Sequence, residues 1–136
     1  MIDLPEFIAP ESTSHARELQ IAMRAKIKNE NIFGNIKTIA GVDVGYDIIN
    51  NLAHCAIVVL EMDGLEQLEQ TQVFTPVTFP YIPGLLSFRE IPAILAALET
   101  LSETPDLFMV DGHGIAHPRR MGIAAHLGVL LDMPSI

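Results

Sequence analysis

Asp106-Leu107-Phe108-Met109-Val110-Asp111-Gly112-His113-Gly114 packs three signals into nine residues. Residues 106–110 make a short, nearly all-apolar run, the pattern of a strand in a parallel sheet covered on both faces. Asp111 then stands at the strand's C-terminal end, and Gly112-His113-Gly114 is a flexible turn. Upstream, Ile91, Ile94, Leu95, Leu98 and Leu101 trace an amphipathic helix ending near Ser102. Downstream, Pro118 sits where a helix's first residue would be, and that helix is expected to run to about Leu131.

Toward the N-terminus the character changes. Residues 38–47 form a short strand whose apolar run is interrupted by Asp43. Residues 53–62 are strongly strand-like, Asp63-Gly64 signals a tight turn, and residues 67–77 alternate like a third strand. Before them, Ala16, Leu19, Met23 and Ile27 recur at helical spacing, which predicts a helix over about 14–31 with a basic outer side. Residues 1–13 read as a loose lead-in. Residues 132–136 read as the beginning of another buried strand. The order is β-β-β-α-β-α in one domain, 1–136, which is a mixed α/β sheet.

Composition narrows the class. With 49% apolar and 18% charged residues in a 136-residue chain, disorder is excluded and one buried core is affordable. No apolar stretch reaches the length of a membrane span, and Met1-Ile2-Asp3 does not open a signal peptide. With a single cysteine, Cys55, no internal disulfide can form, and the expected compartment is the cytoplasm. Seventeen acidic and eight basic residues give −9, where a simple electrostatic DNA binder is usually basic. Such an excess suits a site that gathers carboxylates around a cation.

Three acids are candidates for that site. Asp43 lies between Val42 and Val44, where a carboxylate either caps a turn or is paired, hydrogen-bonded or bound to a metal. Asp111 occupies the strand end where mixed α/β sheets place their ligands. Glu90 has two readings. Ser87-Phe88-Arg89-Glu90 is an S-x-x-E capping box, yet Pro92 favours a helix beginning nearer Arg89, which frees Glu90 for chemistry. Three carboxylates suit Mg²⁺ or Mn²⁺ better than zinc. His113 and His117 have zinc-helix spacing, but the surrounding Gly and Pro residues keep them off a helix, so they line the cleft or an exposed loop. Arg119 and Arg120 would open a helix and offer a phosphate site. Pro80-Tyr81-Ile82-Pro83 is a stiff apolar point that either wedges between bases or packs on the domain itself.

At these residues the chain resembles a known family. Gly41-Val42-Asp43-Val44-Gly45, Pro80-Tyr81-Ile82-Pro83-Gly84-Leu85-Leu86-Ser87-Phe88-Arg89-Glu90 and Val110-Asp111-Gly112-His113-Gly114-Ile115-Ala116-His117-Pro118-Arg119-Arg120-Met121-Gly122 are similar to the signature blocks of endonuclease V, the deoxyinosine-specific repair nuclease. The likeness covers about residues 14–136. It implies a ribonuclease H-like fold and hydrolysis of the second phosphodiester bond 3′ to a deoxyinosine. It further implies that Asp43, Glu90 and Asp111 hold Mg²⁺ and that Tyr81 is a strand-separating wedge. Gly84, Leu86, Gly112, His117, Gly122 and Ile123 are then the walls of a pocket for the flipped base.

Family members continue past the position of Ile136 into a C-terminal third. By that comparison the fifth strand and C-terminal section are missing, and the strand at 106–110 is expected to be a bare edge open to self-association. Two other readings stay open: a catalytically incomplete DNA-binding or assembly fragment, and a nuclease acting on inosine in RNA.

Overall fold

A computed structural model describes residues 2–136. Its elements are α1 (Thr13–Arg24), β1 (Thr38–Asp47), β2 (Leu52–Glu61), β3 (Gln67–Pro76), α2 (Leu86–Leu98), β4 (Leu107–Val110) and α3 (Ile123–Leu131). The first three strands form an antiparallel meander and β4 joins β1 in parallel, giving the sheet order β3-β2-β1-β4. The architecture is the mixed α/β sheet read from the sequence. Among the described residues no helix is long and apolar enough to cross a membrane.

Period-2 alternation builds the core. Ala53, Cys55, Ile57 and Val59 of β2 point to one face, opposite Tyr46, Val44, Val42 and Ala40 of β1. That face packs against Ile91, Ile94 and Leu98 of α2 and Ile123, Ala124 and Leu127 of α3. A second cluster joins Ala16 of α1 to Leu85 and Phe88, with Phe7, Phe79 and Ile82 around it. Residues 2–12 of the N-terminal lead-in form no helix or strand, but they are not loose: Ile2, Leu4 and Phe7 pack on the core.

Element limits depart from the sequence reading where tertiary contacts intervene. α1 stops at Arg24 instead of reaching 31, because residues 24–31 bury no side chain fully and burial is what holds a surface helix together. β4 begins one residue late because Asp106 is a clamp. Its Oδ2 accepts from the Lys37 and Thr38 backbone N–H groups, at 2.8 and 3.1 Å. Nor is β4 covered on both faces: Phe108 and Val110 are buried, but Met109 is exposed.

α3 starts at Ile123, not Pro118. Arg120 has φ 58°, a left-handed conformation no helix tolerates, and Gly122 is the N-cap. α2 starts at Leu86, which puts Pro92 inside the helix rather than in its first turn. Burial of the α2 face offsets the lost hydrogen bond, a defect that costs about 3 kcal/mol in an isolated helix.

The outer edge of β4 is also not bare. Phe108 N–H donates to Pro134 O and Val110 N–H to Ile136 O, while Ile136 N–H donates to Phe108 O. Residues 134–136 thus run alongside β4, bridged in parallel at Ser135. The edge expected at 106–110 is covered by the chain's own residues.

Candidate active site

Register brings two of the acids together. β1 and β4 pair in parallel through Val42 and Val110, and the Asp111 N–H continues the ladder by donating to Val42 O at 2.9 Å. Asp43 and Asp111 therefore stand side by side on neighbouring strands, where β4 ends and leaves them open to solvent. Asp43 is mid-strand, since β1 runs on to Asp47, so it caps no turn.

Glu90 comes from the helix above. It is only 7% exposed, and burial, then the charges of Asp43 and Asp111, push its carboxyl up to about 7. Arg89 opposes this but is outweighed: its Nη1 donates to Phe79 O (3.0 Å), and its guanidinium lies over the Tyr46 ring, 4.6 Å from the centroid. The capping-box reading fails as well. Leu85 is the N-cap with no side-chain bond, and Ser87 instead bonds His126 Nδ1 at 2.8 Å in the seam between α2 and α3. Burial holds His126 down at about 4, so the pair is neutral. Acid crowding reaches one strand further: burial, then Glu90 and Asp43, drives the Cys55 thiol up to about 12. That thiol is inert.

Three acids that feel one another's charge, with the Glu90 carboxyl raised first by burial and then by Asp43 and Asp111, offer hard oxygen donors. That chemistry fits a divalent cation such as Mg²⁺ or Mn²⁺. As they stand, no three His, Cys, Asp or Glu among the described residues are close enough to grip an ion.

Beside the acids, two loops meet. Ile82, Pro83, Gly84 and Leu85 make a turn closed by Leu85 N–H to Ile82 O (2.9 Å), with Gly84 at φ 82°. A positive φ at the third position marks a type II turn and favours glycine. The tip before it divides its residues: Tyr81 is 67% exposed and Pro80 and Pro83 are exposed, while Ile82 turns inward onto the Ala16, Leu85 and Phe88 cluster. His117 ties the second loop to the first. Its Nδ1 accepts from the Arg119 and Met121 N–H groups, which leaves Nε2–H to donate to Gly84 O at 2.7 Å.

The remaining pocket candidates pack just as closely. A Cβ on Gly122 would run into the His113 carbonyl, and one on Gly112 into Ile123 Cγ2. Leu86, half-buried, begins α2 directly after this turn. Gly84 and His117 are thus in direct contact, as are Gly112 and Ile123. His113 stays exposed on the loop.

Arg119 is not the free phosphate ligand of a helix N-terminus. It precedes α3, is half-buried, and gives its Nε–H to Gln20 Oε1 and an Nη2–H to Gly84 O (3.2 Å). Sequence reading missed Gln20, although a polar residue four after Ala16 on the apolar stripe of α1 was the signal. It missed the Ser87–His126 pair because only the packing of α2 on α3 creates it.

A mixed sheet of this order, with acids on adjacent strands and on the helix above, is the ribonuclease H-like class of α/β fold. The family model for endonuclease V matches residues 20–136. Endonuclease V of Rippkaea orientalis (strain PCC 8801 / RF-1) is 50% identical over 130 residues, covering 96% of this chain and 57% of its own. That of Roseiflexus castenholzii (strain DSM 13941 / HLO8) is 52% identical over 127 residues, or 93% and 56%. The solved endonuclease V of Streptomyces avermitilis superimposes with a TM-score of 0.88 at 40% identity, over 97% of this chain and 58% of that one. Endonuclease V of Ciona intestinalis, in complex with a 24mer DNA containing an inosine followed by a ribo-adenosine, gives 0.82 at 32% identity, over 90% and 55%. The chain belongs to the endonuclease V family, and it spans somewhat more than half the length of these relatives.

Proposed function

We propose that this chain acts in a metal-dependent DNA repair endonuclease that finds deoxyinosine and hydrolyses the second phosphodiester bond on its 3′ side. One observation carries the reading: the Glu90 carboxyl is buried where it feels the charges of Asp43 and Asp111, next to the two loops that contact each other through Gly84 and His117. Asp43, Glu90 and Asp111 would hold Mg²⁺, with Mn²⁺ as the alternative. When bound, such an ion activates a water and neutralises charge building on the phosphate.

The chain's own residues do the recognition. Tyr81, held between Pro80 and Pro83 on a tip anchored by Ile82, separates the strands. Gly84, Leu86, Gly112, His117, Gly122 and Ile123 line the slot for the extruded hypoxanthine. Hypoxanthine pairs weakly and so leaves the stack at modest cost, and glycine lets backbone groups come close to its edge. The compartment read from the sequence, the cytoplasm, belongs to the same proposal.

A second reading, an inosine-specific ribonuclease, is favoured by the ribo-adenosine next to the inosine in the Ciona complex. A gel assay with one labelled inosine-containing oligonucleotide, in DNA and RNA forms, with Mg²⁺ and with chelator, tests both. Metal-dependent cleavage of the DNA supports the first, preference for RNA supports the second, and binding without cleavage leaves a recognition fragment.

A further inference from the structure

Three donors converge on one carbonyl. Gly84 O accepts from Gln20 Nε2 (2.9 Å), His117 Nε2 (2.7 Å) and Arg119 Nη2 (3.2 Å), one from α1 and two from the loop before α3. A carbonyl offers two lone pairs, so this one is saturated. Gly84 has φ 82°, and a Cβ there would come within 2.8 Å of Arg119 Nη2. Gln20 closes the circuit. It is fully buried, and because Arg119 can only donate, the Gln20 amide oxygen must face Arg119 Nε and its nitrogen must face Gly84. Both ends of the amide are therefore committed; an apolar substitute would strand the Arg119 Nε–H and leave Gly84 O held by the second loop alone, without its tie to α1.

We infer that Gln20 is a positioning residue for base recognition: through Gly84 O and Arg119 it sets the Tyr81 tip in register with the loop that carries His117. The Gln20 side chain bonds to Gly84 and Arg119, so its effect passes through the Gly84 turn. The inference rests on the functional reading above. It also changes the part played by Arg119, which acts from behind the slot instead of reaching for a phosphate.

Gln20→Met, close in volume, tests this in the full 136-residue chain, with Arg119→Met as the second variant from the other end of the same bond. Affinity for a duplex containing one inosine and for the same duplex without it is measured by fluorescence anisotropy in chelator. Amide exchange of Leu85 and of residues 113–122 is followed in the free protein. The expected result is a preference for inosine reduced about tenfold in each variant, with the double variant losing no more than the worse single one, as coupled residues do. Binding to the inosine-free duplex is unchanged by Gln20→Met, and exchange quickens in both loops.

A wild-type preference retained by Gln20→Met, or exchange that quickens only within α1, overturns the inference alone. A wild-type chain with no preference for inosine overturns the functional reading and this inference with it. Should Gln20→Met fail to fold, the same ratio in Arg119→Met decides.

Discussion

Gly112 and Ile123 are in contact so close that a Cβ on the glycine would overlap the Ile123 Cγ2. One residue follows the acid at the end of β4 and the other begins α3, so this contact sets how near the helix comes to Asp111. Gly112→Ala is expected to force α3 outward and to cost about 1–3 kcal/mol, as overpacking does. Ile123→Ala should relieve the clash, so the double variant loses less than the sum of the singles. Urea unfolding with an unchanged m-value measures all three.

Stability should depend on pH through two buried groups of opposite sign. Glu90 is raised from 4.5 to about 7, so the folded chain binds its proton more readily and stability falls as pH climbs through that interval. His126 is lowered from 6.5 to about 4, so the unfolded chain binds its proton more readily and stability rises as pH climbs from about 4 to 6.5. The two trends offset each other up to 6.5, and only the Glu90 decline continues to about 7. In chelator, Glu90→Gln should remove the decline and leave a profile that rises to 6.5 and then levels. A decline that survives in Glu90→Gln would remove Glu90 as its source.

Asp43→Ala should lower cleavage of the inosine strand by about a hundredfold or more, the scale of losing one electrostatic group at a reaction centre. Binding of the same oligonucleotide should change little, because the tip and slot lie on other segments. Retained cleavage in the labelled-strand assay would take Asp43 out of the metal site.

Tyr81 and Ile82 are neighbours with opposite fates. Tyr81→Ala should leave stability within about 0.5 kcal/mol, as exposed positions do, and weaken the inosine complex by about 1–3 kcal/mol through lost stacking. Ile82→Ala should lower the melting temperature, since its side chain packs on Leu85 and Phe88. Thermal melts paired with anisotropy separate the two effects.

What the sequence determined by itself was local and periodic. Alternation in β2 and the apolar run at 107–110 placed the strands, because side-chain periodicity expresses which face must be buried. The candidate acids were legible for the same reason: a carboxylate inside an apolar run has few structural uses. Tertiary structure alone decided where α2 and α3 begin, since burial of Ile91 and Ile94 tolerates Pro92 and the His117 ring satisfies the turn that delays α3. It also decided that Ser87 pairs with His126 rather than capping a helix, that residues 134–136 cover β4, and that Arg119 turns inward to Gln20. These last three are contacts between residues at least 20 positions apart, and a hydrogen bond between distant segments leaves no period in the chain to read.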